Sequence, residues 1–335
     1  MAIATNSLSL ADYALISNSP QVRAVSYSLI MSDNVMQDVP LLNKKTLVAN
    51  GVRFEGNLPT VNWAPINSEG VTTKGTPTPY SEQLYLIRNN IDVDKVYVED
   101  ENQIVDPRST QVGAYLKAVT YDLNYKFFQN DHITGDQNSF VGLSYRINNG
   151  GVFGVRPENK ITAGAVDLSQ SGATQATANK FLELLDQLLW SVDSPDGTGV
   201  TLYMNEVMKR RMAFVVRLMG TSGGFETTQD QFDRTIQKYK GAVIRDPGYK
   251  ADQTTRIITN TENTDGTAGS SVQTSIYAVN YGTDHFYGWQ FEEMNVQDLG
   301  LLNNGVIYRT FIDWAIGLMS ASTRSVGRLY DIKVA

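Results

Sequence analysis

"GNLPTVNWAPINSEGVTTKGTPTPYSEQLYLIRNN", Gly56 to Asn90, is the stretch whose reading decides the fold. Four prolines (Pro59, Pro65, Pro77, Pro79) and three glycines (Gly56, Gly70, Gly75) break it too often for a core element. Proline lacks a backbone donor, and glycine is costly to order. Yet Trp63, Ile66, Tyr80, Leu84, Tyr85, Leu86 and Ile87 make it too apolar for an idle linker. "TLVANGVRF" predicts a strand entering it and "EQLYLIRNNIDV" a strand leaving it, with the turn residues of "INSEGVTTKGTPTP" between. The expected shape is a long, irregular β-hairpin. Arms of roughly 15 extended residues would project about 50 Å. A two-stranded ribbon alone in water is marginal, and ordering its backbone costs about 1–2 kcal/mol per residue. Such an arm needs another surface to cover it.

The rest of the chain can hold a large core. It has 335 residues, 41% of them hydrophobic, enough for more than one domain. There is no cysteine, which excludes disulfides, thiolate nucleophiles and cysteine metal sites. "MAIATNSLSLADYALIS" lacks the basic start and apolar run of a signal peptide, and no apolar run is long enough to span a membrane. The net charge of −7 argues against binding nucleic acid over the whole surface. The densest basic run, Lys209 to Arg211, reads as a solvated helix face.

Before the quoted stretch, Ser9 and Asp12 are spaced to cap a short helix, and Val22, Val25, Leu29 and Ile30 approach helical spacing within an extended arm. After it comes the clearest helix, 107–130. Asp106 sits at the cap and Pro107 at the first position, and Val112, Leu116, Val119, Leu123 and Phe127 form one stripe. Lys117, Asp122, Asn124 and Lys126 lie off that stripe. "SFVGLSYRI" predicts a strand and "NNGGVFGVRPENK" a loop. Residues 166–285 read as an α/β unit. A helix is expected from Thr177 to Val192, then a strand at "VTLYM", a helix capped by Asn205, a helix over "TTQDQFDRTIQKY", and strands at "GAVIRD", "TRIITN" and "TSIYAVNY". Val306, Tyr308, Ile312, Trp314, Ile316 and Leu318 share one parity, the mark of a half-buried strand, and "SVGRLYDIKV" predicts the last one.

Catalytic and metal motifs fail on context. Gly220-Thr221-Ser222-Gly223-Gly224 fits G-x-S-x-G, and Asp246 and His285 follow in triad order. The motif requires a strand before its serine, whereas here a helix precedes it, so the glycines read as a helix stop. His132 and His285 stand alone, without the spacing of a zinc site. "DVDKVYVEDENQ" begins like a calcium loop but has Val96, Tyr97 and Gln103 where that loop needs an oxygen ligand, a glycine and a glutamate. "GGVFGVRPENK" lacks the Lys-Ser/Thr of a phosphate-binding loop. Asp284, Glu292 and Glu293 read as surface charges. Phe286, Tyr287 and Trp289, with no basic residues interleaved, read as core or interface. No cofactor is expected.

The order of parts resembles the major capsid protein of tailed bacteriophages, the Hong Kong 97-type fold. The stretches that carry the likeness are "SLSLADYALIS", "FEGNLPTVNWAPINSEGVTTKGTPTPYSEQLYLI", "DVDKVYV", Gly135-Asp136 followed by "FVGL", "LLDQLL", "LYMN" and "YKGAVIRD". Each is short; their order over nearly the whole chain is the specific feature. The resemblance implies an α+β fold with an N-terminal arm (1–45), an extended loop (46–95) and a peripheral domain (96–165) with a spine helix. An axial α/β domain (166–285), a return to the peripheral domain (286–317) and a C-terminal axial strand (318–335) follow.

It further implies a non-enzymatic subunit that assembles into hexamers and pentamers of an icosahedral head around double-stranded DNA, in the host cytoplasm and then in the virion. Trp63, Ile66, Lys74, Tyr80, Leu84, Tyr85 and Ile87 become expected contacts between copies. Separate portal and decoration proteins are further implied partners. The arm begins almost at Met1, so the expectation is a separate scaffolding protein or none. Some relatives cross-link a loop lysine to a distant asparagine; Lys74 with Asn303 or Asn304 would correspond, although both also read as ordinary solvent-facing residues. The competing readings are an encapsulin-like compartment around a protein cargo, a hydrolase using Ser222, and a monomeric binding module.

Overall fold

A computed structural model of the chain describes residues 35–53, 58–100, 106–132, 135–220, 224–229, 235–267, 269–270, 272–303 and 305–334. The helices expected before residue 35, and Ser222, lie outside them. In chain order the strands are β1 (Leu41–Asn43), β2 (Val48–Arg53), β3 (Thr78–Gln83), β4 (Tyr85–Asp94), β5 (Lys160–Asp167), β6 (Val200–Tyr203), β7 (Phe225–Gln229), β8 (Thr235–Tyr239), β9 (Ala242–Arg245), β10 (Thr274–Asn280), β11 (Phe286–Gln290), β12 (Asn295–Leu301), β13 (Ile307–Ser320) and β14 (Val326–Lys333). The helices are α1 (Lys95–Val98), α2 (Pro107–Gln129), α3 (Leu143–Asn148), α4 (Gly150–Phe153), α5 (Gln175–Ser191) and α6 (Glu206–Met219).

α2 starts where the sequence requires. Asp106 accepts from the backbone N–H groups of Arg108 (3.0 Å) and Ser109 (3.3 Å), satisfying two of the orphan donors at the helix start. Its expected stripe is the inner face, but the buried face is broader, taking in Thr120, Asn124 and Phe128. Two surfaces press on the helix, so one stripe does not account for its burial. Leu116, Val119 and Leu123 share a core with Ile312, Trp314 and Ile316 of β13. Phe128, at the other end, meets Tyr203 and Tyr277 edge-on, with ring centres 5.2 and 5.4 Å away.

β13 organises the first sheet. β4 pairs with it over ten residues, Ile307 opposite Asp94 to Ile316 opposite Tyr85, without a register shift. β12 also pairs with residues 308–313, so it must take the opposite edge of β13. β11 pairs with residues 316–320, and β1 lies parallel to β11. The second sheet is mixed, in the order β5-β14-β10-β6-β9-β8-β7. Every residue of β10 is buried. Ile276 and Ala278 point to a core under α5 and α6, while Tyr277 and Val279 join the core of α2. The two-residue strand period thus builds two cores from one strand.

Three expected elements come out differently. "SFVGLSYRI" is an extended entry followed by the helix α3. It docks on the C-terminus of α2, where Asn130 donates to Phe140 O (2.9 Å) and Asp136 O (3.1 Å). A Cβ on Gly142 would come within 2.5 Å of Asn130 N, so this close approach needs glycine. "TTQDQFDRTIQKY" supplies β7 and β8, because pairing against β9 overrides its helical appearance. "TRIITN" makes no ladder: Asn205 Nδ2 donates to Ile258 O (3.2 Å) and Asn260 Oδ1 (2.7 Å), while Oδ1 caps α6 at Met208 N (2.8 Å). Within and beside the expected "NNGGVFGVRPENK" loop the chain also forms α4, the 3-10 turn Pro157–Asn159 and β5.

One buried ion pair fastens the loop that follows "TRIITN" to the second sheet. Arg328 and Glu262 are 3.2 Å apart and almost completely shielded from solvent. Arg328 also donates to Thr264 O (2.9 Å) and Asn263 O (3.3 Å). Burial pushes the Glu262 carboxyl from 4.5 up to about 7, against the pull of Arg328. The folded state therefore keeps this proton to higher pH than the unfolded chain. Its contribution is fully present below about pH 4.5 and is lost as pH rises through about 7. Glu262→Gln is expected to flatten this part of the stability–pH curve, gaining on the order of 1–3 kcal/mol relative to the parent between pH 5 and pH 8. Urea unfolding at both pH values measures it; an unchanged slope would contradict the assignment.

Candidate subunit interface

The loop leaves the body as the two-stranded ribbon β2–β3, with Val48 opposite Gln83 and Arg53 opposite Thr78. Only six residue pairs form, so the expected long hairpin is a short one. Between Leu58 and Pro77 no strand forms. Pro59, Pro65 and Pro77 cannot donate to a ladder, which accounts for the irregular path.

The base of the ribbon is tightly held. Arg146 is wholly buried and makes a two-pronged ion pair with Glu82 of β3; the Nη2–Oε2 distance is 2.9 Å. Arg146 Nε also donates to Val141 O (3.0 Å). Arg53 of β2 donates to Ala321 O (3.1 Å) and to Ser320 O, and lies 3.9 Å from the centre of the Tyr80 ring. Ala49 packs on Tyr287, Trp289 and Met319. Gly51 leaves room for the Tyr80 ring, with which an added Cβ would collide. Among the described residues the tip has no such support. Trp63 is 97% exposed and Ile66 94%, and Leu58, Val61 and Val71 are exposed with them. An open hollow of about 470 Å³ in the loop is lined by loop residues alone, Trp63, Pro65 and Val71 among them.

The seven expected contact residues therefore fall into two groups. Trp63, Ile66 and Lys74 are exposed on the loop. Tyr80 and Leu84 pack on the small cluster at the ribbon base, and Tyr85 and Ile87 on the core beneath β13. Leu47, Val48 and Val52 are exposed apolar residues near the ribbon that do not figure among the seven. The even spacing of Val48 and Val52 within "VANGVR" is the signal that marks them. Beside the ribbon, the outer sheet face is polar and neutral in sum, with Arg88 against Asp313 (3.2 Å) and Arg309 against Asp92 (2.6 Å). The Arg309 hydrogen bond holds the Asp92 carboxyl below its ordinary range.

The other sequence candidates are dispersed. Gly220, at φ 66°, ends α6 in the left-handed conformation, as a helix stop should. His132 Nδ1 lies 3.2 Å from Ser139 O, and its ring meets Tyr85 edge-on. Asp94 caps α1 through Val96 N (2.9 Å). Glu292 pairs with Lys45 (2.8 Å) at the surface, while Phe286, Tyr287 and Trp289 are buried in β11. The basic run splits: Arg210 is exposed, whereas Arg211 donates to Val334 O (3.1 Å) and Lys209 is partly buried. Lys74 and Asn303 are both exposed; Asn304 lies outside the described residues. Among the described residues no three His, Asp or Glu side chains are grouped to hold a metal ion, and no helix is long and apolar enough to cross a membrane.

No family model and no curated protein matches the sequence. The fold does have relatives among solved structures. The SrpI encapsulin complex of Synechococcus elongatus PCC 7942 aligns over 100% of this chain and 98% of its own, with a TM-score of 0.58 and 12% identity. The capsid of the native GTA particle aligns over 91% of each chain, with a TM-score of 0.57 and 10% identity. The capsid of cyanophage A-1(L) covers 87% of this chain and 90% of its own, with a TM-score of 0.55 and 14% identity. The chain thus has the α+β Hong Kong 97-type fold, and these neighbours are structural shell proteins.

Proposed function

We propose that the chain is a capsid subunit whose copies close into an icosahedral phage head of hexamers and pentamers around double-stranded DNA. The observation that carries this is the loop. Its base is locked by Arg146–Glu82, while its tip holds Trp63 and Ile66 almost wholly in solvent. An apolar tip on a fixed base is matched to a neighbour's surface, since exposed apolar patches mark interaction sites. The shell neighbours in the same fold support the reading. The α2 spine and the first sheet then form the peripheral part, the second sheet the axial part, and portal and decoration proteins are separate chains. The subunit needs no catalytic group.

The test is to replace residues 58–77 by a short glycine-serine link. The cut must spare β3 and β4, because β4 supplies ten residue pairs of the first sheet. The trimmed chain should keep the parent's circular dichroism and melting behaviour, yet form no particles by negative-stain microscopy; closed particles would refute the reading. The likeness to the encapsulin over the whole chain favours a second reading, a compartment around protein cargo. Nuclease-resistant double-stranded DNA in purified particles selects the first, and a co-purifying protein cargo the second.

A further inference from the structure

We propose that β2 of one copy adds to the outer edge of β4 in a neighbouring copy, as an antiparallel strand. This rests on the shell reading and names the surface that receives the loop ribbon. Among the described residues, β4 pairs with β13 alone and β2 with β3 alone. Native proteins usually blunt exposed edges with charged side chains, proline, a bulge or shortness. β4 runs ten residues without proline or a register shift against β13, and its charges Arg88 and Asp92 are already paired with Asp313 and Arg309 of β13. A long, regular edge of this kind is a template for another strand.

Side chains choose the partner. On the core side of β4, Ile87 and Ile91 are only half-buried, beside the equally half-buried Val112 and Tyr115 of α2. The apolar face under this edge is unfinished. β2 carries Val48 and Val52, both exposed, at the same four-residue spacing. Matching the two pairs antiparallel sets Val48 opposite Ile91 and Val52 opposite Ile87. One face of β2 then completes the face that β4 leaves open. The same register sets Asn50 opposite Asn89, both exposed. The ribbon gains a third strand and a sheet behind it, which a two-stranded ribbon needs in order to hold its shape.

The chain has no cysteine, so the double variant Asn50→Cys, Asn89→Cys reports the pairing directly. Directly opposed positions lie within disulfide reach. Oxidised particles should show most chains joined into covalent multimers on a non-reducing gel, and each single variant should run as one chain. Particles that assemble normally but do not cross-link overturn the pairing and leave the shell reading intact. If the unaltered chain forms no particles, both fall. If the double variant fails to assemble, hydrogen exchange on the unaltered protein decides. Amides in 86–92 should exchange at least ~10-fold more slowly in particles than in dissociated subunits; equal rates overturn the pairing.

Discussion

Arg146→Met will cost the folded chain about 3–5 kcal/mol, because it leaves a shielded carboxylate without its partner. Glu82 is 13% exposed in its side chain, and Arg146 not at all. The guanidinium satisfies three groups at once: the Glu82 carboxylate, Val141 O and Leu318 O. Methionine fills the space of the stem but offers no donor to any of them. Damage should concentrate at the ribbon base, since Glu82 lies on β3 and pairs with Ala49. Denaturant unfolding measures the loss, and limited proteolysis should cut first between residues 47 and 83. The double variant Arg146→Met, Glu82→Met should recover much of the loss, because paired apolar replacements remove the stranded charge. A loss below about 1 kcal/mol in the single variant would show that the pair is wetter than its burial implies.

Phe128→Ala should be about as damaging, at about 3–5 kcal/mol, for a different reason. Phe128 is fully buried where the end of α2 reaches the second sheet. Its ring meets Phe127, Tyr203 and Tyr277 edge-on, and such pairs add about 0.5–1.5 kcal/mol beyond area burial. Tyr203 and Tyr277 are pinned by other bonds, Tyr203 to Tyr281 (2.8 Å) and Tyr277 to Ser144. They cannot collapse into the space, so the cavity persists and its cost adds to the lost transfer energy. Phe128→Leu should recover more than half of the loss. Calorimetric melting of the three proteins checks the order; equal melting points would mean that the two sheets do not share this aromatic joint.

Much of the fold was legible because its signals are local. Asp106 and Pro107 announce α2 within two residues, Asn205 announces α6, and the parity from Tyr308 to Leu318 announces β13. The loop was partly legible: four prolines and a tryptophan on one arm already marked an apolar stretch unsuited to a core element. Which of the named residues face outward was not, since Tyr85 and Trp63 look alike on paper and only the β13 ladder turns Tyr85 inward.

By itself the sequence determined where α2 starts and where α6 starts and stops, that no cysteine is present, and that an apolar arm interrupts the chain. These follow from capping, composition and backbone donors, which act over a few residues. Only the tertiary structure decided that the polar run "TTQDQFDRTIQKY" belongs to a sheet, that "SFVGLSYRI" coils onto the end of α2, and that β4, among the described residues, pairs on one edge alone. Those outcomes depend on partners far along the chain, and a segment's own propensity is too weak to overrule the ladder or the core it meets.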